Sequence, residues 1–233
     1  MGRLLARSGS ATEARIDLDV EVKMTLAFPL RILALTLLSA GVTVSAQQPA
    51  AAKLAADVCA SCHGPDGISV SPAFPRLAGQ NAAYLEAQLK AFRDRTRADP
   101  MAQAFMWGMT SQLSDPTIAG LAAYYAAQKP GKPASGDAKH VALGAPIFLQ
   151  GIPAAGVAAC QTCHGPQGEG NAVIPRLAGQ HAEYLLKQLV LFKSDLRAGA
   201  SAPVMHGISS GMTFDQMSAV SAYAASLTPA APR

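Results

Sequence analysis

Cys59-Ala-Ser-Cys62-His63 and Cys160-Gln-Thr-Cys163-His164 hold all four cysteines of the 233-residue chain. Four cysteines in an exported protein could close two disulfides. Cysteines two residues apart could also each begin a zinc site. The histidine that follows each pair decides against both readings. At the end of a helical turn the two sulfurs face one side, where each can form a thioether with a haem vinyl group, and the histidine falls beneath the iron. A zinc site would need further Cys or His ligands at matching spacing, and the two segments share none. The spacing predicts two covalently bound haem c groups, with His63 and His164 as iron ligands.

The ligand on the other side of each iron sets the chemistry. Methionine raises the potential and suits electron transfer, histidine lowers it, and an open site suits catalysis on small molecules. Met101, Met106 and Met109 compete in the first half, and Met205, Met212 and Met217 in the second. An internal repeat chooses between them. Pro75-Arg76-Leu77-Ala78-Gly79-Gln80 recurs without change as Pro175-Arg176-Leu177-Ala178-Gly179-Gln180. Tyr84, Leu85, Gln88, Leu89 and Phe92 recur as Tyr184, Leu185, Gln188, Leu189 and Phe192. The offset drifts from 101 at the cysteines through 100 to 99 where Ala123-Tyr124 meets Ala222-Tyr223. At that last offset Met106 falls on Met205, whereas Met101 falls on Ala200 and Met109 on Ile208. Taken singly, any of these methionines reads as core filling; the shared register makes Met106 and Met205 the expected second ligands. His206, beside Met205, matches Trp107, which cannot ligate, so it is expected in a solvated loop. His140 and His181 have no histidine counterparts and are expected on the surface.

A ligating histidine donates its other ring nitrogen to an acceptor that fixes the ring. The carbonyls of Pro75 and Pro175 are the expected acceptors. Arg76 and Arg176, one residue on, are expected against a haem propionate, with an exposed charge as the alternative. The pairs Tyr84/Tyr184 and Tyr124/Tyr223 read as helix packing.

Ordered identity over the whole unit implies duplication of a domain of roughly ninety residues, a size that folds independently. The boundaries expected are 47–128 for the first copy, a Pro/Gly-rich linker over 129–140, and 141–233 for the second. Helical spacing of apolar residues places an amphipathic helix over Asn81–Arg93 and again over His181–Leu196. Shorter helices run into the cysteine motifs at Ala52–Ala60 and Leu143–Gln150. A last helix covers Pro116–Ala127 behind the cap Ser114, and Asp215–Ser226 behind Thr213. No hairpin signal occurs, so the fold class is all-α.

The apolar run from Leu26 to Val44 ends in small residues and is too short after Arg31 to span a membrane comfortably. Residues 1–46 are expected to be a signal peptide, cleaved after Ala46. Glu13, Asp17, Asp19 and Glu21 precede the apolar core against that pattern, so Met24 is the more natural start and 1–23 a misassigned extension. The formal charge of the whole chain is +4. Beyond Ala46 fourteen basic residues face eleven acidic ones with no Lys/Arg cluster, which excludes a nucleic-acid partner.

With these residues in hand, the chain resembles the cytochrome c4 family, the periplasmic dihaem cytochromes c of class I. The likeness covers Gln47 to about Leu227. It is carried by the two Cys-x-x-Cys-His motifs, by Phe74-Pro75-Arg76-Leu77-Ala78-Gly79-Gln80 and its copy, and by Met106 seven residues ahead of Leu113-Ser114-Asp115. The second copy departs from it in reading Met212-Thr213-Phe214. The resemblance implies two class I cytochrome c domains related by a pseudo-twofold, both haems with His/Met ligation, and a location in the periplasm. It implies a redox carrier fed by a donor such as a quinol-oxidising complex and emptied by a terminal oxidase, with loose membrane association allowed. A haem-bearing subunit of a dehydrogenase complex is the alternative. A dihaem peroxidase or thiosulfate dehydrogenase is disfavoured by the paired methionines and by the lack of a spare cysteine.

Overall fold

The computed structural model describes residues 49–133, 136–199 and 202–229. The expected signal peptide and extension over 1–46 lie outside the described residues. Among those described, helices carry the fold, and no strand forms beyond the isolated bridges Ile152–Val157 and Asn171–Ile174.

In the first repeat a helix over 49–63 (α1) has a π-helical middle, Ala55–Cys59, and ends in the turn Ala60–His63. Helix α2 is Ala82–Arg93. Helix α3 joins a π-helical turn, Ala102–Met106, to an α-helical one, Trp107–Thr110. Helix α4 is Asp115–Ala127. The second repeat gives α5 (Ala138–Gln150), α6 (Gln161–His164), α7 (Ala182–Lys193), α8 (Ala202–Ser210) and α9 (Phe214–Ser226).

The last helix of each repeat starts where a hydroxyl can take up an orphan N–H. Ser114 accepts from the Thr117 amide, and Thr213 forms a full capping box with Gln216. Each of these helices then builds its own core. Leu121, Ala122 and Tyr125 of α4 pack with Ala51, Ala55 and Leu85. Met217, Val220 and Ala224 of α9 pack with Ile147, Phe148 and Leu185. Helices α5 and α9 cross so closely that a Cβ at Gly144 would lie 2.0 Å from the Ala219 carbonyl oxygen, so only glycine fits there.

Four elements differ from the sequence expectation. The helix that precedes the second cysteine motif does not run into it: α5 stops at Gly151, whose φ is 74°, and the segment Gly151 to Ala159 intervenes. Helix α7 ends at Lys193 instead of Leu196, because the chain turns at Asp195, whose φ is 55°. Helices α3 and α8, which carry the methionines, are additional. Neither has a long enough apolar period to announce itself.

The two repeats meet through reciprocal bonds. Gln80 accepts from the Arg176 amide at 2.7 Å and donates to the Arg176 carbonyl at 2.9 Å. Gln180 does the same with Arg76, at 2.9 Å in each direction. The same residues face each other on both sides, which is what an isologous pseudo-twofold contact requires.

Candidate haem sites

Each Cys-x-x-Cys-His motif occupies one helical turn and is closed by a glycine of positive φ, Gly64 at 76° and Gly165 at 81°. A Cβ at Gly64 would meet the Ile68 carbonyl at 2.4 Å, so the chain can reverse there only as glycine. None of the four cysteines is in a disulfide. Burial pushes the Cys59 thiol up, and pushes the Cys160 thiol up to about 11.

His63 and His164 are each 8% exposed. His63 Nδ1 donates to the Pro75 carbonyl at 2.9 Å, and His164 Nδ1 donates to the Pro175 carbonyl at 2.9 Å. The acceptors expected from the sequence are therefore in place, and they fix the tautomer with Nε2 as the free lone pair. Burial holds both imidazoles below their ordinary range, against the opposing pull of the proline carbonyls. A neutral, oriented ring is the form that ligates iron. Phe74 links this side of the first site to the methionine helix. Its ring centroid lies 6.2 Å from that of His63 and 5.8 Å from that of Phe105, the neighbour of Met106.

Met106 and Met205 are both half-buried and sit in the corresponding helices α3 and α8. Their competitors in the second repeat, Met212 and Met217, are each 2% exposed and belong to the hydrophobic core. The residues ahead of the two methionines, Phe105 and Val204, are apolar yet 46% and 65% exposed.

Two histidines lie elsewhere than expected. His206 is in helix α8, not in a solvated loop, and its Nδ1 donates to the Phe192 carbonyl at 2.9 Å. Trp107, its counterpart, donates to the Arg97 carbonyl at 2.9 Å, so both residues pin a methionine helix to the chain before it. His181 is buried instead of superficial, and its Nε2 donates to the Ser69 carbonyl of the other repeat at 3.0 Å. His140 is exposed beside Asp137.

The arginines turn out to serve the contact between repeats. Arg76 Nη1 donates to the carbonyls of Lys132 and Gly179, both at 2.8 Å. Arg176 donates to the carbonyls of Ala178 and Ala78. The Nε of each guanidinium is buried and without a partner among the described residues. No carboxylate pairs with either of them there. Burial, aided by the neighbouring Arg76, lowers Arg176 to about 10. One buried cation, Arg176, and one part-buried cation, Arg76, each with a buried unused donor, fit an anionic group, and haem propionates are such groups. Composition and spacing could not have shown that Gln80 and Gln180 join the repeats; the only sign was the unchanged six-residue run.

Two buried, neutral histidines, each one residue after a Cys-x-x-Cys pair in its own helical domain, define a dihaem c-type cytochrome. The family model for cytochrome c matches residues 49–128 and 141–228. Cytochrome c4 of Azotobacter vinelandii is 39% identical over 199 residues, covering 82% of this chain and 94% of that protein. A solved cytochrome c4 structure from Acidithiobacillus ferrooxidans aligns with a TM-score of 0.68 at 40% identity, covering 72% of this chain and 98% of that one. The thiosulfate dehydrogenase electron acceptor of Stutzerimonas stutzeri is 36% identical over 176 residues, covering 74% of this chain and 80% of that protein. The chain belongs to the cytochrome c4 family, and it carries two covalent haem c groups at Cys59/Cys62 and Cys160/Cys163.

Proposed function

We propose that this electron carrier works in the periplasm, with one iron held by His63 and Met106 and the other by His164 and Met205. Haem supplies one-electron chemistry when bound. The chain's own residues decide how it is used. The Pro75 and Pro175 carbonyls orient the histidines, and the two methionines would supply the second ligands. The observation that carries the reading is the shared place of Met106 and Met205 on corresponding helices, while Met212 and Met217 are spent in the core. The domains proposed are 47–128 and 141–233, joined by 129–140, whose end already enters helix α5 at Ala138, with 1–46 as a signal peptide that carries a misassigned extension over 1–23.

The acceptor proposed is a terminal oxidase and the donor a quinol-oxidising complex. A second reading, a haem-bearing partner in a dehydrogenase complex, is favoured by the likeness to the thiosulfate dehydrogenase electron acceptor. The test is the optical spectrum of the oxidised protein, with haem counted as the pyridine haemochrome. Two haems per chain and a far-red methionine–iron band accounting for both are expected. High-spin features or ready binding of small ligands would overturn closed ligation. Stopped-flow oxidation by an oxidase, set against reduction by a thiosulfate dehydrogenase, separates the two roles.

Arg76 and Arg176 are proposed to bond the haem propionates through their unused Nε donors. A nearby cation stabilises the electron-rich reduced state, so Arg76→Ala should lower the first haem's midpoint potential in a redox titration. An unchanged potential would remove the propionate role and leave Arg76 to the carbonyls of Lys132 and Gly179.

A further inference from the structure

Helix α3 is tied down by a buried ion pair that also reaches the second repeat. Asp99 is 1% exposed and Arg97 is 6% exposed. Asp99 Oδ1 accepts from the Ala102 amide at 3.1 Å, at the start of the helix that carries Met106. A carboxylate there answers an orphan N–H and the positive end of the helix dipole. Asp99 Oδ2 accepts from Arg97 Nε at 2.9 Å. The Arg97 carbonyl receives Trp107 Nε1, one residue beyond Met106. The Arg97 guanidinium lies 4.6 Å from the centroid of the Phe92 ring and donates to Gln88 at 2.7 Å. It also donates to Gln188 of the other repeat, at 3.2 Å. Buried bonds thus run without a break from the methionine helix into the second domain.

The second repeat is not built this way. Arg197 matches Arg97, stacks on Phe192 at 4.5 Å, and donates to Gln188 at 2.7 Å and to the Tyr84 hydroxyl at 3.1 Å. Yet no carboxylate occurs from Ala198 to Met212. The Ala202 amide is received at 3.0 Å by a backbone carbonyl, that of Gly199. Among the described residues only that neutral carbonyl meets the start of α8, and Arg197 has no ion-pair partner there.

We propose that Asp99 and Arg97 are positioning residues for Met106, and that they make its hold depend on the second domain, a device Met205 lacks. The proposal rests on Met106 being the iron ligand. Removing the carboxylate charge leaves the buried Arg97 cation short of its counter-charge and weakens the cap of α3, so the helix holding Met106 gains freedom.

The test is Asp99→Asn in the full dihaem protein, read by cyanide binding. Each haem is followed separately through its paramagnetically shifted methyl resonances. Cyanide should displace the first haem's methionine about tenfold faster or more, the factor expected for a weakened buried charged bond, while the second haem keeps its rate. Unchanged rates, or equal acceleration at both haems, would overturn the proposal. Should Asp99→Asn fail to fold, Trp107→Phe removes the Nε1 tether without stranding a charge, and the same selective acceleration must appear in smaller measure. Gln188→Ala must also accelerate the first haem, or the dependence on the second domain falls. Met106→Ala separates the two layers. If it leaves the first haem's far-red band intact, the ligand assignment fails. If it removes the band while Asp99→Asn and Trp107→Phe change nothing, only the positioning role fails.

Discussion

Met106→Ala is expected to abolish half of the far-red methionine–iron absorption and to lower the first haem's potential, leaving the second haem as it was. A thioether sulfur favours the reduced iron, and axial ligands tune haem potentials over about 0.8 V, so a fall on the order of a hundred millivolts lies well within what this exchange can produce. Met205→Ala should do the same to the second haem alone. Met212→Ala is the contrasting variant. Met212 is 2% exposed inside the second core, so its truncation should cost about 2–5 kcal/mol of stability and leave the far-red band whole. Optical spectra and redox titrations of the three variants read all of this. A band lost with Met212 and kept without Met205 would show that the repeat register had nominated the wrong methionine.

That contrast marks how far the sequence could be read. The haem attachment turns were legible because their chemistry is local: two sulfurs and an imidazole within a single turn need no knowledge of the rest of the chain. The caps Ser114 and Thr213 were legible for the same reason. Met106 and Met205 were reachable only by register, since α3 and α8 are short and contain Gly108 and Gly207. What stayed hidden is whatever acts between the repeats. Nothing in Arg176 reveals that its guanidinium caps the Ala78 carbonyl ninety-eight positions away. His181 was misplaced on the surface because a polar residue without a counterpart reads as solvated, and only the Ser69 carbonyl, 112 positions back, explains its burial. His206 was misplaced because an unrecognised helix reads as a loop.

The contact between repeats also sets the second large expectation. Gln80→Ala should lower the unfolding midpoint, and Gln80→Ala combined with Gln180→Ala should split a single denaturation transition into two. Gln80 is 5% exposed, and its side chain answers three backbone groups: the Arg176 amide and carbonyl across the contact and the Asn81 amide beside it. Truncation leaves these groups buried and unpaired, at about 1–3 kcal/mol for each that water cannot reach. Gln180 holds Arg76 and the His181 amide in the same manner. The two clamps close one interface, so their effects should be coupled and not simply additive. Each repeat keeps its own core around α4 or α9, which is why the domains should uncouple before either unfolds. Gln128→Ala is the control, because its amide only reaches the Tyr124 carbonyl within its own repeat. Denaturant titrations followed at both haems decide the matter. One transition at the parent midpoint in the double variant would mean that Arg97, Arg197 and their glutamines hold the domains together without the clamps. If the clamps do hold, loosening them shifts the backbones of Arg76 and Arg176 first, and both haem potentials should move before stability is lost.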